Sequence, residues 1–203
     1  ALLVGGDCDV GVESTVLTLA APVPRVLRPG GITLSQLRAV LGRVEVDPAV
    51  LHQMGQGQRA ASPGMKYKHY SPAADVVIVD ASPEDYVEYV NQRGDGWALC
   101  FEEDVPFLHV SALPYGGRYD SQSQAHRLFE ALHQLDELGV EKAYAHIPRK
   151  RDVGLAVYNR LIRAAAFRVV NPKGRHVLGL TGPTGAGKST VGEILREQGC
   201  YVV

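Results

Sequence analysis

Cysteine is scarce in this sequence: Cys8, Cys100 and Cys200 are the only three among 203 residues. They are odd in number, far apart and never in a Cys-x-x-Cys pair, which argues against a disulfide scaffold or a zinc ribbon and fits a reducing compartment. The seven histidines are scattered, and none stands at metal-ligand spacing from a cysteine. No apolar run approaches the ~20 residues that a membrane-crossing helix needs, and no signal peptide is visible. A cytoplasmic location without a membrane partner is therefore expected. A basic excess is also missing. Lys and Arg number 21 against 22 Asp and Glu, for a net charge of −1, so the charge gives no support to a chain built mainly to grip nucleic acid. There is no initiator Met, and the final Tyr201-Val202-Val203 reads as the interior of a strand. A fragment of a longer chain is the expectation.

What the sequence does have is an ordinary apolar share of 45%, enough to predict packed cores. Thr15 to Leu19 alternates and is β-branched, so it predicts a strand; Arg25 to Arg28 predicts a second, closed by Pro29-Gly30-Gly31. A helix follows from an N-cap at Thr33, with Leu34, Leu37, Val40 and Leu41 on one face. From Val44 to Pro72 periodicity is lost and Gly, Gln, Ser and Pro predominate, a composition suited to an extended linker. Met65-Lys66-Tyr67-Lys68-His69-Tyr70 is an odd choice for a passive spacer.

Beyond it, Val76-Val77-Ile78-Val79 predicts a buried strand and Ser82-Pro83-Glu84-Asp85 a helix start. Strands are expected at 97–101, 107–110 and 141–147. One helix is expected over 121–138, burying Ala125, Leu128, Phe129, Leu132 and Leu135, and another over 153–167. Alternating strands and helices predict a parallel α/β sheet. Residues 73–172 are the one segment expected to form a complete small domain.

At the far end, Gly182-Pro183-Thr184-Gly185-Ala186-Gly187-Lys188-Ser189 is a full G-x-x-x-x-G-K-S between a predicted strand at Val177–Leu180 and a predicted helix. Glycines let successive N–H groups face a phosphate, and the helix N-terminus adds partial positive charge. The candidate phosphate-binding residues are Gly182, Gly185, Gly187, Lys188, Ser189 and Thr190, with Ser189 holding Mg²⁺. This stretch, with Gly199-Cys200-Tyr201-Val202-Val203, resembles the opening of a dephospho-CoA kinase. That family phosphorylates the ribose 3′-hydroxyl of dephospho-CoA.

Glu13-Ser14-Thr15-Val16, Leu27-Arg28-Pro29-Gly30 and the arm Ser62-Pro63-Gly64-Met65-Lys66-Tyr67-Lys68-His69-Tyr70-Ser71-Pro72 form a third group. Together with Gly154 to Leu161 they resemble the two-domain threonylcarbamoyl-AMP synthases over roughly residues 1–170. The resemblance implies an enzyme that joins L-threonine, bicarbonate and ATP into threonylcarbamoyl-AMP and pyrophosphate, for threonylcarbamoyladenosine modification of tRNA. It implies that Ser14 contacts L-threonine, that Arg28 contacts the nucleotide phosphates, and that Tyr70, with Tyr67 as second choice, contacts ATP. ATP with Mg is the implied substrate complex, with no permanently bound metal or organic cofactor. Catalytic residues are not assigned.

The expected fold class is α/β. A small, doubly wound, mostly parallel sheet makes an accessory domain, flanked by an incomplete α/β catalytic-domain piece and an incomplete P-loop strand–helix unit. The expected divisions are 1–45 for the end of the catalytic domain, 46–72 for the linker, 73–172 for the accessory domain and 173–203 for the start of a P-loop kinase domain. The first part of the catalytic domain is not in the sequence, so this chain is expected to be inactive as a synthase on its own. Two alternatives stay open: a P-loop kinase as the main activity, and a non-catalytic α/β module that binds tRNA or a partner. His126 and His133 are expected at the surface, and Arg149-Lys150-Arg151 in a solvated loop.

Overall fold

In the computed structural model, the described residues are 11–52 and 71–174, with positions 183, 190, 191, 193 and 194. The chain divides into two compact units, Ala1–Lys173 and Gly174–Val203. In the second unit Thr190, Val191, Glu193 and Ile194 are helical and exposed. The predicted strands at Val177–Leu180 and Tyr201–Val203 lie outside the described residues.

The first unit opens with a three-stranded sheet. Strand β1 (Val16–Thr18) runs antiparallel to β2 (Arg25–Arg28), and β2 runs parallel to β3 (Glu45–Val46). Between β2 and β3 lies helix α1 (Leu34–Leu41). Thr33 caps it: its hydroxyl accepts from the Gln36 N–H, while the Gln36 side chain accepts from the Thr33 N–H. This reciprocal box satisfies two donors that a helix start otherwise leaves open. The apolar stripe on α1 is poorly covered among the described residues, with Val40 83% exposed. Order persists past position 45 into the stretch read as linker. There Asp47 caps the short turn Pro48–Val50 and Val50 is fully buried.

The second sheet has five strands in the order β6-β5-β7-β4-β8, and every pairing is parallel. They are β4 (Asp75–Val79), β5 (Trp97–Cys100), β6 (Ala112–Pro114), β7 (Lys142–His146) and β8 (Val169–Val170). Alternate residues point to opposite faces, so each strand feeds two cores. Val76, Ile78, Leu99, Ala143 and Ala145 face helices α3 (Ser121–Glu137) and α4 (Val153–Ala164). Val79, Ala98, Cys100 and Tyr144 face α2 (Pro83–Arg93) on the other side. Helices therefore cover both faces, as the Val-rich, non-alternating run in β4 requires. Each fully buried Leu or Ile contributes about 1.5–3 kcal/mol.

Three expectations fail in detail. Phe107–Val110 is not a strand: Val105–Phe107 is a single 3₁₀ turn with Pro106 in its first turn, and the edge strand comes later, at Ala112–Pro114. Phe129 is 44% exposed, its ring under the Arg160 guanidinium at 4.8 Å, while Gln124 and Ala131 take buried places on α3. Helix α4 ends at Ala164 rather than 167, because Ala166 and Phe167 turn to φ +48° and +62° and lead the chain into β8.

Candidate functional site

Two of the sequence-predicted site residues meet at the junction of β1 and β2. The antiparallel register sets Val16 opposite Arg28, with an irregularity between Val16 and Leu17. The Arg28 side chain thereby lies along the segment that enters β1. Its Nε donates to the Ser14 carbonyl and its Nη2 to the Ser14 hydroxyl, each at 3.0 Å. One planar guanidinium fixes both the main chain and the side chain of the residue implied to hold L-threonine. Because the Ser14 hydroxyl accepts from Arg28, its own proton points elsewhere, available to an acceptor such as a substrate carboxylate. Ser14 is exposed.

The neighbouring residues lock this arrangement. Thr15 Oγ1 donates to the Ile32 carbonyl at 2.8 Å and accepts the Ile32 N–H at 3.1 Å. Gly30 lies directly beneath residues 13–15: a Cβ there would overlap the Glu13 carbonyl and the Thr15 nitrogen. The Glu-Ser-Thr-Val and Leu-Arg-Pro-Gly strings are thus two halves of one backbone junction.

Helix α4, which packs on the five-stranded sheet, reaches the same junction. Arg160 pairs with Glu13, the residue before Ser14. Asn159 Nδ2 donates to the Val50 carbonyl at 2.7 Å and Arg163 Nη2 to the Ala49 carbonyl at 3.1 Å. Burial lowers the pKa of the Arg163 guanidinium against the opposing field of Glu13. Just before α4, Asp152 accepts from the Ser35 hydroxyl of α1 at 2.7 Å.

A separate polar cluster sits at the carboxyl ends of β5 and β7. His146 Nδ1 lies 2.7 Å from Asp104 Oδ2, and Arg118 Nη2 lies 2.7 Å from Asp104 Oδ1. The Phe101 N–H donates to the same carboxylate at 3.0 Å. Burial would raise the Asp104 carboxyl, but His146, Phe101 and Arg118 together outweigh it and hold the group below its ordinary value. An ionised Asp104 requires the Nδ1–H form of His146. Tyr86 stacks on the imidazole at 4.2 Å, and Tyr115 Oη donates to the His146 carbonyl at 2.6 Å. These contacts tie the loop after β5 to β7. The scattered histidines gave no sign of it, because Asp104 and His146 are brought together only by the pairing of β5 with β7.

The remaining candidates fall as follows. Tyr67, Tyr70, Gly182, Gly185, Gly187, Lys188 and Ser189 lie outside the described residues; Thr190 lies on the exposed helix of the second unit. His126 is exposed, and so is His133, which stands 3.5 Å from Glu137. In the basic loop, the Arg149 guanidinium lies over Tyr119 at 4.4 Å, and Lys150 lies over Tyr158 at 4.6 Å. Among the described residues, no cluster of three or more His, Cys, Asp or Glu could hold a metal, and no helix is long and apolar enough to cross a membrane.

Residues 32–166 match the family described as the C-terminal domain of threonylcarbamoyl-AMP synthase. The threonylcarbamoyl-AMP synthase of Bacillus subtilis is 37% identical over an alignment of 171 residues that covers 82% of this chain and 49% of that protein. The enzyme of the same name from Pyrococcus abyssi is 34% identical over 176 residues, with the same shares of 82% and 49%. The chain thus spans about half the length of the curated relatives it matches. The crystal structure of Pyrococcus abyssi Sua5 complexed with L-threonine superposes with a TM-score of 0.67 at 31% identity, over 82% of this chain and 49% of that one.

Proposed function

This chain belongs to the threonylcarbamoyl-AMP synthase family, and on that premise we propose that it supplies one wall of the synthase site together with the accessory domain. The reaction proposed for the full-length enzyme joins L-threonine, bicarbonate and ATP. An oxygen of the threonine carbamate attacks the α-phosphorus, a new P–O bond forms, and pyrophosphate leaves with the electrons of the broken P–O bond. The product would feed threonylcarbamoyladenosine formation on tRNA in the cytoplasm. The single observation that carries this reading is the pairing of Arg28 with Ser14 at the strand junction.

In this reading the Ser14 hydroxyl donates a hydrogen bond to the L-threonine carboxylate. Arg28 holds Ser14 in place and sets a fixed positive charge beside the nucleotide phosphates, where negative charge builds during attack. Tyr70, with Tyr67 as second choice, contacts ATP, and keeping water from the labile mixed anhydride is part of what the full-length site must do. Mg²⁺ accompanies the ATP. The test is threonine- and bicarbonate-dependent release of pyrophosphate by the full-length protein, compared with Arg28→Ala and Tyr70→Phe. Activity that falls sharply in Arg28→Ala supports the assignment; an inactive wild type overturns it.

A second reading concerns residues 173–203, where the spacing from Gly182 to Ser189 favours a P-loop. We propose that this segment begins a kinase domain of the dephospho-CoA kinase type, with Lys188 on the outer phosphates and Ser189 on Mg²⁺. Phosphoryl transfer to dephospho-CoA by the full-length protein, abolished in Lys188→Ala, is the expected result. No ATP-dependent product with any CoA precursor would remove the kinase from consideration.

A further inference from the structure

Helix α4 grips the opening piece at both of its ends. Asn159 and Arg163 hold the carbonyls of Val50 and Ala49, at the point where the chain leaves β3. Arg160, between them in sequence, pairs with Glu13, where the chain enters β1. Arg160 is well placed for this. Its side chain is only 10% exposed, and its guanidinium carbon lies over the Phe129 ring of α3 at 4.8 Å. The exposed aromatic that the helix pattern expected in the core is thus half of a clamp on Arg160. Gly11, at φ +70°, brings the backbone of the incoming segment against α3 at Ala125 and His126, so close that a Cβ would overlap it.

Segment 11–15 is therefore a strap pinned from two sides. From the accessory domain, Arg160 fixes Glu13; from β2, Arg28 fixes Ser14 and Gly30 receives the backbone between them. We propose that Arg160 is a positioning residue for the Ser14–Arg28 pair, acting through Glu13, so that the accessory domain sets the affinity for the amino-acid substrate. This rests on the synthase reading for its substrate and on geometry alone for the latch. A displacement of about 1 Å at a contact residue is enough to change rates or affinities severalfold or more. A buried guanidinium left without its carboxylate also reorients at some cost, since it must find new acceptors.

The experiment uses the full-length protein in five forms: wild type, Arg160→Ala, Arg160→Lys, Glu13→Gln and the double Glu13→Gln/Arg160→Ala. Two readouts are taken, the kinetics of pyrophosphate release with varied L-threonine, and amide hydrogen exchange over residues 12–17. Arg160→Ala is expected to raise KM for L-threonine about tenfold while kcat stays within about threefold. It should also speed exchange at 13–15 and leave β4 protected. Arg160→Lys should recover part of both effects, and the double variant should be no worse than the worse single one. Unchanged KM and unchanged exchange in Arg160→Ala overturn the proposal, as does a loss of kcat that merely follows the unfolded fraction. If the wild type releases no pyrophosphate, the synthase reading falls. The exchange readout then decides the latch by itself, with unchanged exchange at 13–15 overturning it.

Discussion

Arg28 and Ser14 are joined twice, Nε to the carbonyl and Nη2 to the hydroxyl, both at 3.0 Å. A lysine has one nitrogen and no rigid fork, so it cannot reproduce the pair of bonds. On the proposed reading, Arg28→Lys is accordingly expected to lower kcat/KM for pyrophosphate release by the full-length protein by roughly 10–100-fold, despite keeping the charge. Ser14→Ala should raise KM for L-threonine more than it lowers kcat. Steady-state kinetics checks both; wild-type values in Arg28→Lys would show that charge alone is what the site uses.

Gly30 is irreplaceable for a reason of space rather than of backbone angle. A Cβ there meets main-chain atoms of Glu13 and Thr15, which cannot rotate away. Gly30→Ala should cost about 1–3 kcal/mol of stability and disturb Ser14 as well. Urea unfolding of the variant beside wild type measures the first effect, and a midpoint equal to wild type would contradict it.

Asp104 makes the packing around the five-stranded sheet sensitive to acid. Its folded pKa lies below its ordinary value, so the stability it contributes is present above the unfolded value and lost as pH falls through the folded one. Asp104→Asn should be less stable than wild type by about 3 kcal/mol at neutral pH, since it breaks a fully buried pair with His146. The gap should narrow below about pH 4 as the wild-type carboxyl protonates. Thermal melts of both proteins across that range are the check, and a constant gap would speak against the assignment.

Burial pushes the Cys100 thiol up to about 12, with the Asp104 charge adding to the effect. The thiolate is the reactive form, so Cys100 should resist alkylation at pH 8 in the folded protein and react only on unfolding. Peptide-resolved mass spectrometry after iodoacetamide treatment reads this position separately from Cys8 and Cys200. Rapid labelling of Cys100 in native buffer would overturn the expectation.

The sequence made the doubly covered parallel sheet legible, because β4 carries an unbroken Val/Ile run and the caps at Thr33 and Ser82 mark their helices. Local pattern misled where a turn or a side-chain partner decided the outcome. Phe107 and Leu108 look strand-like, yet Pro106 favours the turn. Phe129 follows the apolar period of α3, yet it meets a guanidinium instead of the core. Of the candidate site, Ser14 and Arg28 were visible as two separate strings, but their union depends on the β1–β2 register. Arg160 lay unremarked inside the Gly154–Leu161 string, since no spacing links position 160 to position 13. Long-range pairs of that kind are written in topology rather than in sequence neighbourhood.

The strand order has a consequence for synthesis. Val76, Ile78 and Val79 are fully buried, but both neighbours of their strand, β7 and β8, come later in the chain, with Ile78 pairing Ala145 and Val169. At a translation rate of ~5–20 residues per second, β4 leaves the ribosome on the order of ten seconds before its first partner. For that interval a Val-Val-Ile-Val segment with open edges is exposed to solvent and to neighbouring nascent chains. The five-stranded sheet can therefore close around β4 only once β7 has emerged.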